Sequence, residues 1–373
     1  MQVKNAGIRN YGMLKNLQLD DFKALNVLIG PNATGKSTVL QVLDQILEAG
    51  GVTLFPDSAF RATASEMVQV ECGITLDRTD VESTLGEVAR AHGRPPPEEV
   101  VVDEYAQVFK AAELRYRYSG VAPRDTPTGL GRQALIHDKP LTEYLQTALS
   151  SRAQTLGRSG VNVANIESYI PSTISNKTVY LSVNRRLSPT FGAGRARKGR
   201  PEEIGNWVMQ SRGRKLPILE KYESFLSSLL PHVRAMLVDT RQSDFQLGLS
   251  ENDLPGMSPV ANWSSGTSHL AIFLGAMAAL PFSSVILAEE PELSLHPAAL
   301  RQLMGEVRGL ADSGQTQFFL TTHSDFVVEQ LDPHAKSHAL WRFSRNSDGS
   351  ASAARCETEK EIDGALTSLR QAR

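Results

Sequence analysis

Cysteine is scarce in this chain, which has only Cys72 and Cys356 among its 373 residues. Two cysteines cannot form a four-cysteine zinc site or a disulfide-dense scaffold, so we expect two reduced thiols in a cytoplasmic protein. An excess of charge of one sign is also missing, because 39 basic and 41 acidic residues leave a net charge of −2. This balance excludes a histone-like basic coat and leaves room only for a local basic patch.

Long hydrophobic runs are almost absent as well. The N-terminal residues MQVKNAGIRN contain no apolar segment of the kind found in a secretory signal. The stretch from His269 to Leu287 approaches the length of a membrane span, but Pro281 and the pair Ser283-Ser284 divide it. We therefore interpret this stretch as a buried helix followed by a buried strand, and we expect no membrane segment.

The rest of the composition is that of a globular protein, with 41% hydrophobic and 21% charged residues. The pattern of strands and helices predicts an α/β fold. We expect residues 1–55 and 255–373 to form the core. Residues 56–254 would add the remaining strands of the N-terminal lobe and a compact, partly helical insertion for partner binding. Within that range, residues 118–132 are rich in Gly, Pro and Thr, which predicts a loop.

Residues 30–37 read GPNATGKS and fit the phosphate-loop pattern G-x-x-x-x-G-K-S/T. This loop lies between a predicted buried strand, Leu25–Ile29, and a predicted helix that begins at Lys36 and ends at Gly50-Gly51. Glycines let successive backbone N–H groups point at phosphate oxygens. Lys36 would reach the β- and γ-phosphates of a nucleotide, and the Ser37 hydroxyl would bind Mg²⁺.

Two carboxylates follow a second buried strand in the segment VILAEEPE, residues 285–292. Ligands of open α/β sheets bind at the carboxyl ends of parallel strands, which is where these side chains would lie. Glu289 would help to hold hydrated Mg²⁺, and Glu290 would orient or deprotonate an attacking water. The alternative is a solvated Glu-Glu turn before a proline.

Two further polar motifs stand at the ends of apolar elements. The segment WSSGT, residues 263–267, precedes an apolar helix predicted over Ser268–Leu280, and its N–H groups and hydroxyls suit an anion. The segment TTHS, residues 321–324, follows a predicted strand, and its His323 would contact a γ-phosphate or the attacking water. Ser324 would then cap a helix that continues to Leu331. The alternatives are a plain capped helix start and a structural histidine.

In this order, the four motifs resemble those of ABC-type ATPases, and the closer match is the branch of RecF, SMC proteins and OLD nucleases. The opening GIRNYGMLKNLQL is similar to the start of that branch. The segments EEPELSLHP and TTHS are similar to its Walker B motif, D-loop and switch histidine. The resemblance implies a P-loop NTPase fold of the ABC-ATPase head type, a mixed sheet with flanking helices, that uses ATP and Mg²⁺. It covers only segments near the two ends of the chain.

The resemblance also implies roles for individual residues. The Walker A loop would comprise Gly30, Pro31, Asn32, Ala33, Thr34, Gly35, Lys36, Ser37 and Thr38. The signature would be Ser264, Ser265 and Gly266, the Walker B pair Glu289 and Glu290, the D-loop Leu293 to His296, and the switch His323. Family members associate head to tail, with nucleotide between the Walker A loop of one subunit and the signature of the other. We therefore expect a homodimer or a higher even oligomer.

The sequence departs from the family pattern in three places. Glu289 stands where aspartate is usual, which adds one methylene to a predicted metal ligand. The signature reads SSGT rather than SGGQ. The glutamine of the Q-loop stays open among Gln69, Gln133 and Gln154.

These residues favour a dimeric ATPase whose nucleotide state controls nucleic-acid processing or an effector, in DNA repair or in defence against phage. The chain ends soon after His323, which leaves no room for the Toprim nuclease domain of OLD proteins. A nuclease or toxin would therefore be a separate polypeptide. The alternatives are a nucleotide-sensing scaffold with negligible turnover and, less favoured, the ATPase subunit of a transporter.

Direct binding of DNA rests on weaker signals. The cluster of Arg195, Arg197, Lys198 and Arg200 could contact phosphates, in which case binding would weaken with salt. The same cluster could equally form a solvated loop. The pair Arg185-Arg186 is a second candidate, for contact with nucleotide or with a partner.

Overall fold

The computed structural model describes most of the chain in thirteen ranges, which are residues 1–48, 53–54, 67–110, 112–121, 128–150, 163–183, 217–230, 233–240, 244–251, 258–259, 264–281, 283–332 and 335–371. The chain divides into two compact units. The first comprises residues 1–23, 30–177 and 341–355, and the second comprises residues 24–29, 178–340 and 356–373. The division into a core and an insertion that the sequence suggests stays a prediction.

The described residues form helices and strands that we number in chain order. The helices are α1 (Lys36–Leu47), α2 (Arg78–Ala91), α3 (Glu99–Lys110), α4 (Leu141–Leu149), α5 (Val163–Ser175), α6 (Pro217–Leu229), α7 (Ser265–Ala279), α8 (Pro297–Asp312), α9 (Asp325–Glu329) and α10 (Glu359–Gln371). The strands are β1 (Gln2–Tyr11), β2 (Leu14–Leu19), β3 (Leu25–Ile29), β4 (Thr53–Leu54), β5 (Met67–Thr75), β6 (Leu114–Val121), β7 (Thr128–Gly129), β8 (Gly131–Ile136), β9 (Lys139–Pro140), β10 (Thr178–Leu181), β11 (Val233–Thr240), β12 (Asp244–Glu251), β13 (Ser258–Pro259), β14 (Ser284–Glu289), β15 (Thr316–Thr322), β16 (His338–Arg345) and β17 (Ala351–Cys356).

The first unit is built on a six-stranded antiparallel sheet with the strand order β2-β1-β5-β6-β8-β9. Its opening hairpin, formed by β1 and β2, pairs Ile8 with Leu17. Tyr105, Tyr116 and Phe109 are among its largest fully buried side chains. The large apolar area of these side chains stabilises the unit by removal from water.

Helix α1 begins at Lys36 and buries Val39, Leu40, Val42, Leu43, Ile46 and Leu47, as the sequence predicts. It ends at Leu47 rather than at Gly50-Gly51, because Glu48 already has extended backbone angles. The two glycines lie outside the described residues. Helix termini are the least certain part of a prediction from periodicity, since the apolar face fixes the helix but not its last turn.

The prediction of a loop over residues 118–132 is wrong at both ends of this range, where the structure has strands. Strand β6 continues to Val121, and β8 begins at Gly131, with Ser119 opposite Gly131 in the antiparallel ladder. Glycine weakens a strand without excluding it, and here the pairing with neighbouring strands outweighs local composition.

The second unit contains four parallel strands in the order β10-β14-β15-β3. Three of them, β3, β14 and β15, match strands expected from the sequence, and these three are buried along their whole length. Such continuous burial is typical of parallel strands covered on both faces by helices. The parallel register places Glu289 opposite Thr321 and Ile29 opposite Thr322. The carboxyl ends of β14, β15 and β3 therefore lie at the same edge of the sheet.

Helices α7 and α8 contribute to the hydrophobic core of the second unit. Helix α7 starts at Ser265, one turn earlier than predicted, and its residues 270–278 are all buried. Helix α8 starts with Pro297, a residue type suited to the first helical position, and buries a stripe that includes Leu303, Met304 and Val307. Among the described helices, none is both long enough and apolar enough to cross a membrane.

The helix expected after Ser324 is shorter than the prediction. It ends at Glu329 rather than at Leu331, and Ser324 occupies the N-cap position without a side-chain capping bond within the described residues. The backbone N–H of Ser324 is instead hydrogen-bonded to Thr322 Oγ1 at 2.9 Å. The Thr322 hydroxyl, two residues earlier in the TTHS turn, therefore satisfies this N–H locally.

The core of the second unit gives a direct stability test. Leu303→Ala removes a side chain that is 1% exposed, and we expect a loss of about 2–5 kcal/mol in the free energy of unfolding. Gln302→Ala, on the exposed face of the same helix, should change this free energy by less than about 0.5 kcal/mol. Urea unfolding of both variants measures the difference, and equal stabilities would contradict the assigned core.

Candidate functional site

The phosphate loop of the first unit is shaped by backbone angles that suit glycine. Gly30 has φ 144° and Gly35 has φ 87°. A Cβ atom at Gly30 would lie 2.4 Å from the carbonyl oxygen of Phe343, and one at Gly35 would lie 2.7 Å from a methyl carbon of Leu14. Both positions therefore require glycine for conformational and for steric reasons. Ala33 also has a positive φ, 55°, so the loop turns sharply three times within six residues.

Lys36 is the first residue of α1, and its side chain folds back toward the start of the loop. Its Nζ donates hydrogen bonds of 2.8 Å to the carbonyl oxygens of Gly30 and of Pro31. Thr34 Oγ1 donates to the same Pro31 carbonyl at 2.8 Å, which tightens the turn further. The side chain of Lys36 is 5% exposed, so its charge is presented within the loop rather than to bulk solvent.

The N-terminus of α1 is suited to an anion. Within the described ranges it carries neither a side-chain cap nor an acidic residue in its first turn, and Ser37 is exposed there. Backbone N–H groups and the helix dipole favour negative charge at such an end, and Lys36 adds a full positive charge. The predicted site residues Gly30 to Thr38 therefore form a loop whose chemistry fits a polyphosphate.

The acidic turn of the second unit follows β14. Glu289, the last residue of the strand, is buried, and its Oε2 accepts a hydrogen bond of 3.1 Å from the backbone N–H of Val183. Glu290 has a positive φ of 42°, which is strained for a residue with a side chain. Its N–H donates a 2.8 Å hydrogen bond to the carbonyl of Thr321 and thereby fixes the strained turn against β15. Strain of this kind occurs preferentially at functional sites.

The structure brings two of the predicted catalytic residues together. Glu290 Oε1 lies 3.8 Å from His323 Nε2, and about a third of each side chain is exposed (33% and 37%). Both residues stand where adjacent parallel strands end, which is why residues 33 positions apart in sequence meet. A carboxylate and an imidazole with partial solvent access can share a water molecule or exchange a proton.

Glu292 is a residue of this site that the motif reading did not single out. Its Oε1 accepts hydrogen bonds from Thr322 Oγ1 at 2.6 Å and from the backbone N–H of His323 at 3.1 Å. Burial raises the pKa of Glu292, and the hydrogen bonds from Thr322 and His323 partly oppose this rise. The only signal in the sequence was a third carboxylate in the EEPE run, and nothing local to that run indicated its partners at the end of β15.

The predicted signature lies at the N-terminus of α7. Ser264 Oγ accepts a hydrogen bond of 3.2 Å from the N–H of Thr267, which makes Ser264 the helix cap. Ser264 and Ser265 are exposed. A Cβ atom at Gly266 would lie 2.4 Å from the carbonyl oxygen of Ser294, so this glycine allows the helix to approach the predicted D-loop.

The predicted magnesium ligands are a hydroxyl, Ser37, and a carboxylate, Glu289. Among the residues that the structure describes, no three His, Cys, Asp or Glu side chains gather into a metal-binding group. Mg²⁺ commonly uses one or two protein oxygens and completes its shell with waters and substrate phosphates. The donor types of Ser37 and Glu289 fit that pattern.

Several predicted candidates lie outside the described residues, so the structure says nothing about them. They are Gln154, Trp263, the pair Arg185-Arg186 and the basic cluster Arg195, Arg197, Lys198 and Arg200. The other two candidates for the Q-loop glutamine are described: Gln69 lies on β5 and Gln133 on β8.

A glycine-rich phosphate loop between a buried strand and a helix, in a chain with an acidic strand end and a neighbouring histidine, defines a P-loop ATPase. The chain belongs to the family described as "AAA domain, putative AbiEii toxin, Type IV TA system", which matches residues 25–329. It is therefore an AAA-family ATPase with a mixed α/β fold.

Known proteins are similar over nearly the whole chain. An ATP/GTP phosphatase of Helicobacter pylori (strain ATCC 700392 / 26695) is 21% identical over 355 residues, which are 88% of this chain and 87% of the relative. An SMC head bound to the C-terminal winged-helix domain of ScpA has a TM-score of 0.58 at 13% identity, and the match covers 96% of this chain and 99% of that one. An SMC head with an extended coiled coil, bound to the C-terminal domain of ScpA from Pyrococcus furiosus, has a TM-score of 0.53 at 12% identity and 99% coverage of both chains. These likenesses confirm the ATPase-head fold.

Helix α1 gives a prediction on pH. Burial raises the pKa of Asp44 from 3.8 to about 7, and the negative charge of Glu48 adds to the rise. Between these two pKa values the folded state holds a proton that the unfolded state has released, so the free energy of unfolding falls as pH rises. Asp44→Asn should therefore stabilise the protein at pH 8 and lose this advantage toward pH 4.

Urea unfolding at a series of pH values measures this effect. Glu98→Gln, at an exposed position of the same unit, is the control and should follow the wild type throughout. A constant difference between Asp44→Asn and the wild type from pH 4 to pH 8 would contradict the assigned burial of Asp44.

The contact of Gly266 with Ser294 gives a second prediction. Gly266→Ala places a methyl group against a backbone carbonyl that cannot move aside freely, so we expect a destabilisation of about 1–3 kcal/mol. Gly305→Ala, in α8 with nothing within 4 Å of its added methyl group, should instead stabilise the protein by up to about 1 kcal/mol. Thermal unfolding of the two variants should therefore shift in opposite directions.

Proposed function

We propose that this chain hydrolyses ATP as a head-to-tail homodimer and that its nucleotide state controls a separate effector. Lys36 and the loop from Gly30 to Thr38 bind the phosphates of ATP. Glu290 orients the attacking water and accepts its proton, and His323 contacts the γ-phosphate or the same water. The signature, Ser264 to Gly266, contacts the nucleotide bound by the second copy.

The observation that carries this proposal is the meeting of Glu290 with His323, 3.8 Å apart at the ends of two adjacent parallel strands. A base must lie within reach of the water that it activates, and a partly exposed carboxylate at a strand end satisfies this requirement. The strained backbone of Glu290 supports the same interpretation. Its positive φ costs stability, the hydrogen bond to Thr321 maintains it, and strain of this kind is concentrated at functional sites.

The reaction requires little covalent chemistry from the protein. Water attacks the γ-phosphorus, the bond to the bridging β,γ-oxygen breaks, and ADP and inorganic phosphate form. Glu290 takes one proton from the water as the new P–O bond forms. Lys36 and the backbone N–H groups of α1 stabilise the charge that develops on the phosphate oxygens. Ser37 and Glu289 would be the protein ligands of Mg²⁺, which would supply positive charge to offset that of the phosphates.

A second copy of the chain is the partner that the signature favours. Ser264 and Ser265 are exposed at a helix N-terminus, where hydroxyls and N–H groups suit an anion. The same surface is available for the nucleotide of another subunit. The fold shared with SMC heads supports this arrangement, because it belongs to the branch that the sequence resembles.

The family description names a toxin and a type IV toxin–antitoxin system, and two neighbours of similar fold are SMC heads bound to domains of ScpA. These relatives favour a role in which nucleotide binding changes the contact with another polypeptide. We place this role in defence against phage or in DNA repair, within the RecF, SMC and OLD-nuclease branch. A nuclease or toxin would be the separate effector.

The proposal predicts the behaviour of two variants of the acidic turn. Glu290→Gln keeps the size of the side chain but removes the base, so ATP turnover should fall by about 10²–10⁴-fold while ATP binding persists. Bound ATP should then accumulate, and a mass measurement should show trapped dimers. Glu306→Gln, at a partly exposed position on α8, is the matched control and should keep wild-type turnover.

A nucleotide-sensing scaffold with negligible turnover is the second candidate, since slow hydrolysis uses the same residues. Turnover measured with and without DNA, and at rising protein concentration, separates the two. An ATPase predicts multiple turnovers per site that depend on dimerisation. Less than one turnover per site under every condition, with ATP still bound, would favour the scaffold. Full activity in a monomer would contradict the dimeric site.

A further inference from the structure

One carboxylate oxygen of Glu292 is linked by hydrogen bonds, directly or through Thr322, to the backbone at His323 and at Ser324. Its Oε1 accepts the backbone N–H of His323 and the hydroxyl of Thr322, the residue before the histidine. That hydroxyl in turn accepts the N–H of Ser324, the residue after it, at 2.9 Å. The backbone on each side of His323 is therefore tied to a single carboxylate.

This anchor lies in buried surroundings. Thr322 is fully buried, Ser324 is 7% exposed, and Glu292 is half-buried. Water competes poorly for hydrogen bonds that are shielded from solvent, so these bonds hold the turn in place. The imidazole of His323 is 37% exposed and extends from this fixed backbone toward Glu290.

The turn that contains Glu292 continues into a contact with the signature helix. Leu295 N–H donates to the carbonyl of Glu292 at 3.0 Å. The next two carbonyl oxygens along the turn contact α7: that of Leu293 lies 3.1 Å from Nδ1 of His269, and that of Ser294 lies against Gly266. Ser294 has a φ of 62°, so the turn is held in a strained form between these contacts.

We propose that Glu292 is a positioning residue that fixes His323 for hydrolysis, and that the turn 292–294 links it to the signature helix. This inference rests on the proposed function, because it assigns Glu292 to the reaction in which His323 takes part. Glu292 acts through the backbone of the TTHS turn, so its hydrogen-bond acceptor matters and its charge does not.

Three variants test the anchor by steady-state kinetics. Glu292→Ala removes the hydrogen-bond acceptor, and Thr322→Val removes the hydroxyl that connects Glu292 to Ser324. Each change should lower kcat for ATP hydrolysis by about 10–100-fold. KM should stay within about threefold, because neither residue binds the phosphates. Glu292→Gln keeps Oε1 and should keep kcat within about threefold of the wild type. Glu306→Ala is the control for loss of a glutamate elsewhere in the unit.

A second background separates positioning from a general structural effect. In a chain that carries His323→Ala, the added change Glu292→Ala should lower kcat by less than about twofold, because the group that it positions is gone. A full additional loss in that background would overturn the proposal. So would an unchanged kcat in Glu292→Ala, or a loss in Glu292→Gln as large as in Glu292→Ala.

Hydrogen exchange gives a readout that does not need activity. The amides of His323 and Ser324 should exchange slowly in the wild type and in Glu292→Gln, and at least about tenfold faster in Glu292→Ala. If the wild type hydrolyses no ATP, the proposed function fails while this measurement still decides whether Glu292 anchors the turn. Equal exchange in all three proteins would overturn the anchor even if the ATPase is active.

Discussion

The parallel pairing of β14 with β15 is the constraint on which the catalytic part of the structure depends. It places Glu289 beside Thr321, so that the acidic turn after one strand and the histidine turn after the other begin at the same level. A shift by one residue would send every side chain of one strand to the opposite face. Full burial of both strands on both faces prevents such a shift, so the hydrophobic core fixes the geometry of the polar residues.

Backbone strain accumulates where these elements end. Glu290 and Ser294 both have positive φ values within one short turn, and the phosphate loop of the first unit contains Ala33 in the same region. Each such residue costs of order 1–3 kcal/mol, which the surrounding hydrogen bonds and packing must offset. Contacts with neighbouring elements, rather than the intrinsic backbone preferences of these residues, therefore hold the turns in shape.

Much of this architecture was predictable from the sequence because it depends on local patterns. Buried runs such as Leu25–Ile29 and the face of α1 follow directly from apolar spacing, and Pro297 marks its helix start by its fixed φ. Residues 118–132 show the limit, since their Gly-rich composition predicts a loop while cross-strand pairing extends β6 to Val121 and starts β8 at Gly131. The exact ends of α1 and α9 depend on contacts of the last turn that periodicity does not contain.

The candidate site shows the same division. The phosphate loop, Glu290 and His323 were predictable because each belongs to a motif with a chemical reason for its spacing. Glu292 was not, since its importance comes from Thr322 and His323, which only the pairing of strands brings within reach. Family membership and the ATPase-head fold agree with the motif reading, while the basic residues 195–200 lie outside the residues that the structure describes.

The central claim is that two copies complete each other's nucleotide site, and mixing two inactive variants tests it most directly. Lys36→Ala removes the phosphate-binding lysine, and Ser265→Arg blocks the signature. Half of the randomly mixed dimers combine the two variants, and each mixed dimer keeps one intact site of two. The account therefore predicts that ATP turnover returns to about a quarter of the wild-type rate on mixing. A mixture as inactive as either variant alone, at every ratio and concentration, would contradict it.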